Sequence, residues 1–260
     1  MLLAIDIGNT TIAMGIFEGK KLLRNWSVRS EREKTADEYS IMLIELLRSA
    51  AIDPAAMRGV IISSVVPPLT PAFQALSQNL FGVKALIVGP GLRTGMPILY
   101  ENSAEVGADR VVASIAAFEK YGGPCIVVDF GTATTFDAVT AKGEYMGGSI
   151  APGIQISAEA LYLRTAKLPR IEVVKPKKAI GKTTVASMQS GIYFGYIGLV
   201  NTIIAEITKE LGTEPKIIVT GGFAVQLGPE IRVPHNHEPH LVLEGLRIVF
   251  ERNREEKPAV

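Results

Sequence analysis

The chain has 260 residues, 47% hydrophobic and 20% charged, which suits two ordinary compact domains or one large one and excludes a disordered chain. Lysine and arginine total 27 against 26 acidic residues, a formal net charge of +1, so no bulk field draws the protein to nucleic acid or an anionic membrane. The single cysteine, Cys125, excludes an intrachain disulfide framework and any multi-cysteine zinc site, and points to a reducing, cytoplasmic setting.

In chain order, Leu2–Asp6 reads as a short buried strand and Thr11–Phe17 as another. Met1 to Asp6 meets a charge too soon for a signal peptide and has no basic leader. A Glu18-Gly19 turn leads into Lys21–Val28, the expected hairpin partner. Tyr39, Met42, Leu43, Leu46, Leu47 and Ala50 fall at helical spacing, and Asp53-Pro54 closes that helix. Gly59–Ser63 is strand-like, Pro71–Phe81 helical and Lys84–Val88 again a strand, so the first half reads β-β-β-α-β-α-β. The second half starts the same way. Cys125–Asp129 is a β-branched run ending in an aspartate, Thr134–Thr140 alternates, and a Lys142-Gly143 turn precedes Glu144–Ile150. Helices follow Pro152 and Thr184, Lys216–Thr220 is a strand, and Leu241–Arg252 is an amphipathic helix. The most apolar run, Gly191–Ala205, contains Asn201 and Thr202 and stops at Glu206. It falls short of the roughly 18–20 residues that cross a bilayer, so it predicts a buried helix in a soluble protein. Arg252–Val260 reads as a frayed, charged tail.

A strand ending in Asp-x-Gly and turning into a Thr-rich strand occurs twice, about half a chain apart: Asp6-Ile7-Gly8-Asn9-Thr10-Thr11 and Asp129-Phe130-Gly131-Thr132-Ala133-Thr134-Thr135. Internal duplication is the economical explanation, with a boundary near Tyr121-Gly122-Gly123-Pro124 and domains over 1–120 and 121–260. In each turn the glycine leaves no Cβ to block an anion, and backbone N–H groups and hydroxyls donate to phosphate oxygens. The aspartate would repel phosphate directly, so it acts through a metal ion or its waters, a role that suits Mg²⁺. Either copy alone is an ordinary β-turn; the repetition favours phosphate binding. Val219-Thr220-Gly221-Gly222-Phe223-Ala224 adds a strand followed by a Gly-Gly helix start, which lets a base or ribose approach the backbone.

These turns resemble those of the acetate kinase, sugar kinase, Hsp70 and actin superfamily, and within it the chain resembles the type III pantothenate kinases. The stretches that carry the resemblance span nearly the whole chain: Asp6–Thr11, Val88–Gly91, Tyr100–Asn102, Glu105–Arg110, Asp129–Thr135, Gly147–Gly153, Ser187–Gly191 and Glu244–Leu246. Gly107-Ala108-Asp109-Arg110 and Asp129–Thr135 are the specific ones. The resemblance implies an α/β fold of two duplicated ribonuclease H-like domains of βββαβαβ type with a nucleotide cleft between them. It also implies phosphorylation of pantothenate by ATP, the first step of coenzyme A synthesis, in a cytoplasmic homodimer.

Asp109-Arg110 alone would read as solvated charges on an exposed turn. The resemblance makes Asp109 the acceptor of the pantothenate hydroxyl proton, and Arg110 suits the substrate carboxylate. It places Tyr100, Gly107, Ala108, Asp109 and Arg110 in the pantothenate pocket, with Thr184 supplied by the neighbouring subunit. It places Asp6, Ile7, Gly8, Asn9, Thr10, Thr11, Ile12, Ala13 and Thr132 against ATP, with Asp6 also serving Mg²⁺, directly or through water. It assigns Asp129 to a monovalent cation, potassium or ammonium. One departure is Ser103, where many relatives carry proline; this should slightly loosen the approach to Gly107.

Gly181-Lys182-Thr183 mimics the end of a P-loop, but Pro176 stands where a Walker glycine is needed. His235, His237 and His240 lie between Pro234 and Pro239 or just beyond, which predicts an irregular surface loop, with zinc the minor alternative. Gly191, Gly195 and Gly198 flatten one side of a helix that packs within the chain or across a dimer, and Trp26 reads as packing. Competing functions are a non-catalytic regulatory protein on the same fold and a kinase of another small hydroxy acid; intact Asp6, Asp109, Arg110 and Asp129 weigh against the first.

Overall fold

The computed structural model describes residues 1–254. Alternating apolar residues make an antiparallel meander of Leu2–Ile7 (β1), Thr11–Glu18 (β2) and Lys21–Arg29 (β3), with a register shift at Ile16/Phe17. On its other side β1 pairs in parallel with Gly59–Ser64 (β4), which pairs in parallel with Leu86–Ile87 (β5), giving the order β3-β2-β1-β4-β5. Both central strands are buried at nearly every position, as expected of strands covered on two faces.

One cover is a helix pair, Ala36–Ser49 (α1) and Thr70–Phe81 (α2). Thr35 and Glu38 form a capping box that starts α1, and Gly82 in the left-handed region ends α2. Tyr39, Leu43 and Leu47 recur on one stripe of α1 and share a core with Phe73 and Leu76 of α2. The other cover is Leu241–Arg254 (α7), which packs on β1, β2 and β4 and seats Phe250 over Gly59, where any Cβ would strike the ring.

The second sheet repeats the first. Cys125–Phe130 (β6), Ala133–Val139 (β7) and Tyr145–Pro152 (β8) form the meander, and β6 pairs in parallel with Lys216–Thr220 (β9). His235–His237 (β10) completes the order β10-β9-β6-β7-β8, which matches β5-β4-β1-β2-β3 position for position. Ile154–Arg164 (α4), Thr184–Leu211 (α5) and Ala224–Leu227 (α6) supply residues to one core with this sheet. In sequence, Ala108–Tyr121 (α3) precedes β6.

Several elements differ from the sequence reading. His235–His237 is not an irregular loop: it is an edge strand on β9, and the Glu238 N–H extends the ladder to Val219 O at 2.8 Å. The strand expected over Lys84–Val88 shortens to two residues, and α3 is an additional helix. The residues group into two units, Met1–Ala116 with the described residues from His240 onward, and Ala117–Pro239. The late helix α7 thus joins the first unit because its apolar face covers the first sheet. Arg252 to Arg254, expected in the tail, continue α7; the rest of that tail lies outside the described residues.

Among the described residues, α5 alone is long and apolar enough to cross a membrane by length and composition. Its polar groups are nevertheless committed within its own unit. Asn201 Nδ2 donates to Ile197 O (2.9 Å) and Glu230 O (3.2 Å), while its Oδ1 accepts the Arg232 N–H (2.8 Å). Met188, Tyr193, Tyr196, Ile197, Val200 and Ile204 form the stripe that enters the core, which makes α5 a core helix. Asn201→Leu leaves the Arg232 N–H and Glu230 carbonyl without their amide partner and should cost about 1–3 kcal/mol. Urea unfolding of the two proteins measures it, and an unchanged midpoint would show that the amide does not hold this turn.

Candidate active site

The first acidic turn sits on a hairpin closed by the Ile7–Ile12 pair, both residues being fully buried. Those two can therefore offer a ligand only their backbone. The Gly8 N–H donates to Thr11 O at 3.0 Å, and a Cβ on Gly8 would lie 2.9 Å from that same oxygen. The outer edge is pinned from beyond β3: the Ser30 N–H donates to Thr10 O (2.9 Å) and Arg32 donates to Asn9 Oδ1 (3.3 Å). Asn9, Thr10 and Thr11 remain exposed.

Asp6 lies at the inner end of this turn. It is opposite Ala13 on β2 and beside Ser63 on β4, whose hydroxyl donates to Asp6 Oδ1. Opposed residues share a sheet face, so the small Ala13 side chain leaves room beside the carboxylate. Burial pushes Asp6 up to about 7, the negative charge of Asp109 adds to the rise, and the Ser63 bond opposes it.

Asp109 occupies the first turn of α3, a favourable place for an anion. Its Oδ1 accepts the Arg110 N–H at 2.9 Å and lies where a Cβ on Gly107 would be, so a larger residue there would displace the carboxylate. Burial raises the Asp109 pKa, and the Arg110 N–H and guanidinium pull against it. The charge of Asp109, far away in sequence, thus reaches Asp6 within one unit. Two such carboxylates make a donor set of the kind Mg²⁺ takes.

Ahead of α3, Tyr100 is 37% exposed. Asn102 caps a single 3-10 turn over Ser103–Glu105, accepting the Ala104 N–H (3.2 Å) and donating to Glu105 (2.9 Å). Ser103 stands first in that turn, where a backbone N–H needs no partner and proline is well suited. The Asn102 cap closes the turn without one.

In the second unit, Asp129 is placed as Asp6 is: opposite Thr135 on β7 and beside Thr220 on β9. Its carboxylate lies against Gly221, whose φ of +95° and crowded Cβ position require glycine. The Phe223 N–H donates to Phe130 O (3.2 Å), so the acidic turn and the Gly-Gly turn brace each other. Thr132 is exposed, and its carbonyl accepts the Gly153 N–H at 3.1 Å. Thr134 bonds the Tyr196 hydroxyl of α5. Thr135 Oγ1 donates to Asp137 Oδ2 (3.1 Å), and the Tyr145 hydroxyl donates to Asp137 Oδ1 (2.7 Å). With its proton directed to Asp137, the Thr135 oxygen presents lone pairs on the face it shares with Asp129. Oxygen acceptors of this sort suit a cation.

Thr184 opens α5 in the second unit, exposed, just after Thr183 caps the helix by accepting the Ala186 N–H (3.2 Å). That cap gives Gly181-Lys182-Thr183 a structural role. Among the described residues no three His, Cys, Asp or Glu side chains converge as a metal site, so the histidine segment gains no support as a zinc centre. Sequence reasoning missed Ser63, Thr220 and the Thr135–Asp137–Tyr145 chain. The first two could have been found by aligning the duplicated strands, since both hydroxyls occupy the same place beside a strand-end aspartate.

Two sheets of identical order, each ending its central strand in an acidic turn, define the duplicated ribonuclease H-like fold shared by actin, Hsp70 and sugar kinases. A candidate Baf family transcriptional activator from Campylobacter jejuni is similar in fold, with a TM-score of 0.61 at 16% identity, covering 97% of this chain and 99% of that one. Ethanolamine utilization protein EutJ from Carboxydothermus hydrogenoformans follows at 0.54 and 13%, covering 95% and 89%. Closer relationships are seen in sequence. The type III pantothenate kinase family profile matches residues 2–206. The type III pantothenate kinases of Geobacter sulfurreducens and Moorella thermoacetica are 52% and 53% identical over 98% and 97% of this chain and all of theirs. The chain belongs to the type III pantothenate kinase family.

An aspartate raised on folding destabilises the native state once it must ionise. Below about 4 Asp6 is protonated in both states; between there and about 7 only the unfolded state loses the proton. Asp6→Asn should therefore stabilise the protein in EDTA by about 2–4 kcal/mol at pH 8 and far less at pH 4. Chemical denaturation at both pH values tests this; equal effects would show that Asp6 carries no such burden.

Proposed function

We propose that the chain transfers the γ-phosphoryl group of ATP to the hydroxyl of pantothenate, giving 4'-phosphopantothenate in the first step of coenzyme A synthesis. Family membership supports the substrate. The observation that carries the chemistry is the placement of Asp109, a proton acceptor in the first turn of α3 whose Oδ1 is oriented by the Arg110 N–H and whose charge reaches Asp6 at the phosphate turn. Phosphoryl transfer passes through a loose transition state, so the base is asked for little until late. Asp109 takes the hydroxyl proton as the oxygen–phosphorus bond forms and the bond to ADP breaks. Its raised pKa brings it nearer to working pH, which favours proton uptake.

Asp6 to Ala13 and Thr132 contact the nucleotide through backbone N–H groups and hydroxyls. Asp6, directly or through water, would hold Mg²⁺, which would supply neutralisation of charge on the phosphate oxygens. Arg110 pairs with the substrate carboxylate, and Tyr100, Gly107 and Ala108 complete the wall. Asp129 takes the monovalent cation, potassium or ammonium, with Thr135 as an added oxygen. The protein works in the cytoplasm as a homodimer, and Thr184 of each subunit serves the other's pocket. Supporting that assembly, Ser187, Gly191, Gly195, Gly198 and Thr202 leave one side of α5 exposed, with the Phe194 ring standing on it. Neither nucleic acid nor membrane is a partner.

The test is phosphopantothenate formation by the purified protein with ATP and Mg²⁺, in potassium and then in sodium buffer. Potassium-dependent product is expected. Asp109→Asn should lower kcat by about 10²–10⁴-fold with the KM for ATP little changed; a wild-type rate would detach Asp109 from the proton. Asp129→Ala should abolish both potassium stimulation and any rise in melting temperature on adding potassium. Undiminished potassium response would clear Asp129 of cation binding. No product in either buffer would turn attention to other hydroxy acids, and after those to a regulatory role.

A further inference from the structure

The segment from Val88 to Asn102 leads from β5 toward the turn that bears Gly107–Arg110, and it includes Tyr100. It contains no helix and no regular strand. A stretch of this length holds a side chain in place only if something tethers it. Ile98 makes one isolated bridge, and upstream of it the segment is tethered by the last turn of α7. Asn253 reads the backbone of Arg93 on both sides: the Arg93 N–H donates to its Oδ1 (3.1 Å) and its Nδ2 donates to Arg93 O (2.9 Å). The same Nδ2 donates its other proton to Val249 O (2.8 Å), which fixes the orientation of the amide.

Beside it, Arg252 Nη1 donates to Thr94 O. Gly95 follows with φ +70°, and a Cβ there would run into the Arg252 guanidinium. Thr94 Oγ1 then brackets the backbone of Met96, accepting its N–H (3.4 Å) and donating to its carbonyl (3.3 Å), and the Met96 side chain is buried. Arg93 and Thr94 are therefore held by hydrogen bonds from two neighbouring side chains of one helix, and Gly95 lies against one of them.

We propose that Arg252 and Asn253 are positioning residues for pantothenate. They hold Arg93 and Thr94 and so fix the path of the segment that delivers Tyr100, acting through it without touching substrate. The inference rests on the reading of Tyr100 as a pantothenate contact. It predicts an effect confined to one substrate, because the nucleotide turn at Gly8–Thr11 is held by other bonds, from Ser30 and Arg32.

Arg93 also makes the tether directly readable, since trypsin cuts after arginine only where the backbone can leave its partners. The full-length Arg252→Ala/Asn253→Ala variant is compared with wild type and with Arg254→Ala, an exposed neighbour on the same helix. Loss of these bonds should speed cleavage at Arg93–Thr94 about tenfold and raise the KM for pantothenate about tenfold, leaving the KM for ATP within about twofold. Arg254→Ala should do neither. Cleavage and pantothenate KM both at wild-type values would overturn the proposal. Equal rises in both KM values with a general loss of thermal stability would reduce the contact to a structural one. Faster cleavage in a protein whose wild type makes no phosphopantothenate would sink the functional reading and the positioning role together, while leaving the tether as a physical fact.

Discussion

A carboxylate at the end of a buried strand is unfavourable unless charge or hydrogen bonds compensate it, and much of this molecule is arranged around two of them. Asp6 is the penultimate residue of β1, where the parallel neighbour β4 presents Ser63, and the single hydroxyl bond does not offset the burial and the opposing charge of Asp109. The site is electrostatically incomplete as protein alone. That imbalance is informative: a fold that keeps a buried acid under the influence of a second one favours positive charge at this place.

Duplication supplies the same strand-end position twice and lets the two copies diverge. Ser63 and Thr220 both place a hydroxyl beside the aspartate from the parallel strand. Across the hairpin the copies differ: Ala13 leaves space opposite Asp6, whereas Thr135 puts an oxygen opposite Asp129 and is itself aimed by Asp137 and Tyr145. One copy thus keeps room for a hydrated ion, and the other adds an acceptor. The difference lies in a single residue facing each carboxylate, on otherwise equivalent frames.

What could be read from sequence follows the same physics. The meanders were legible because their strands alternate or form short apolar runs bounded by turns, and the acidic turns because they recur at equivalent places. The helix α3 was hidden because Val111 to Ala117 form a continuous buried run with Ser114 as its single polar residue. β10 is three residues between prolines, too short to show alternation, and only its pairing with β9 defines it. Asp109 looked like a solvated charge on residue chemistry alone; the resemblance supplied its role, and Gly107 and Asp6 supply its surroundings. Side-chain bonds to distant backbone leave no pattern at all. Asn253 meets Arg93 across 160 positions, in a stretch that otherwise reads as the start of a tail.

That last contact bears on how the first unit becomes functional. Its sheet is built from the opening residues, yet the face under β1, β2 and β4 stays uncovered until α7 arrives. The same helix carries the side chains that hold Arg93 and Thr94, so covering the core and fixing the loop are one docking event. A chain ending before α7 would lose more than apolar burial: the loop bearing Tyr100 would keep its sequence but not its path. Phe250 seated over Gly59 sets the height of α7 on the sheet, and Arg252 and Asn253 follow within the next turn. A change at Gly59, deep in the core, would therefore be transmitted to the loop bearing Tyr100 through the helix.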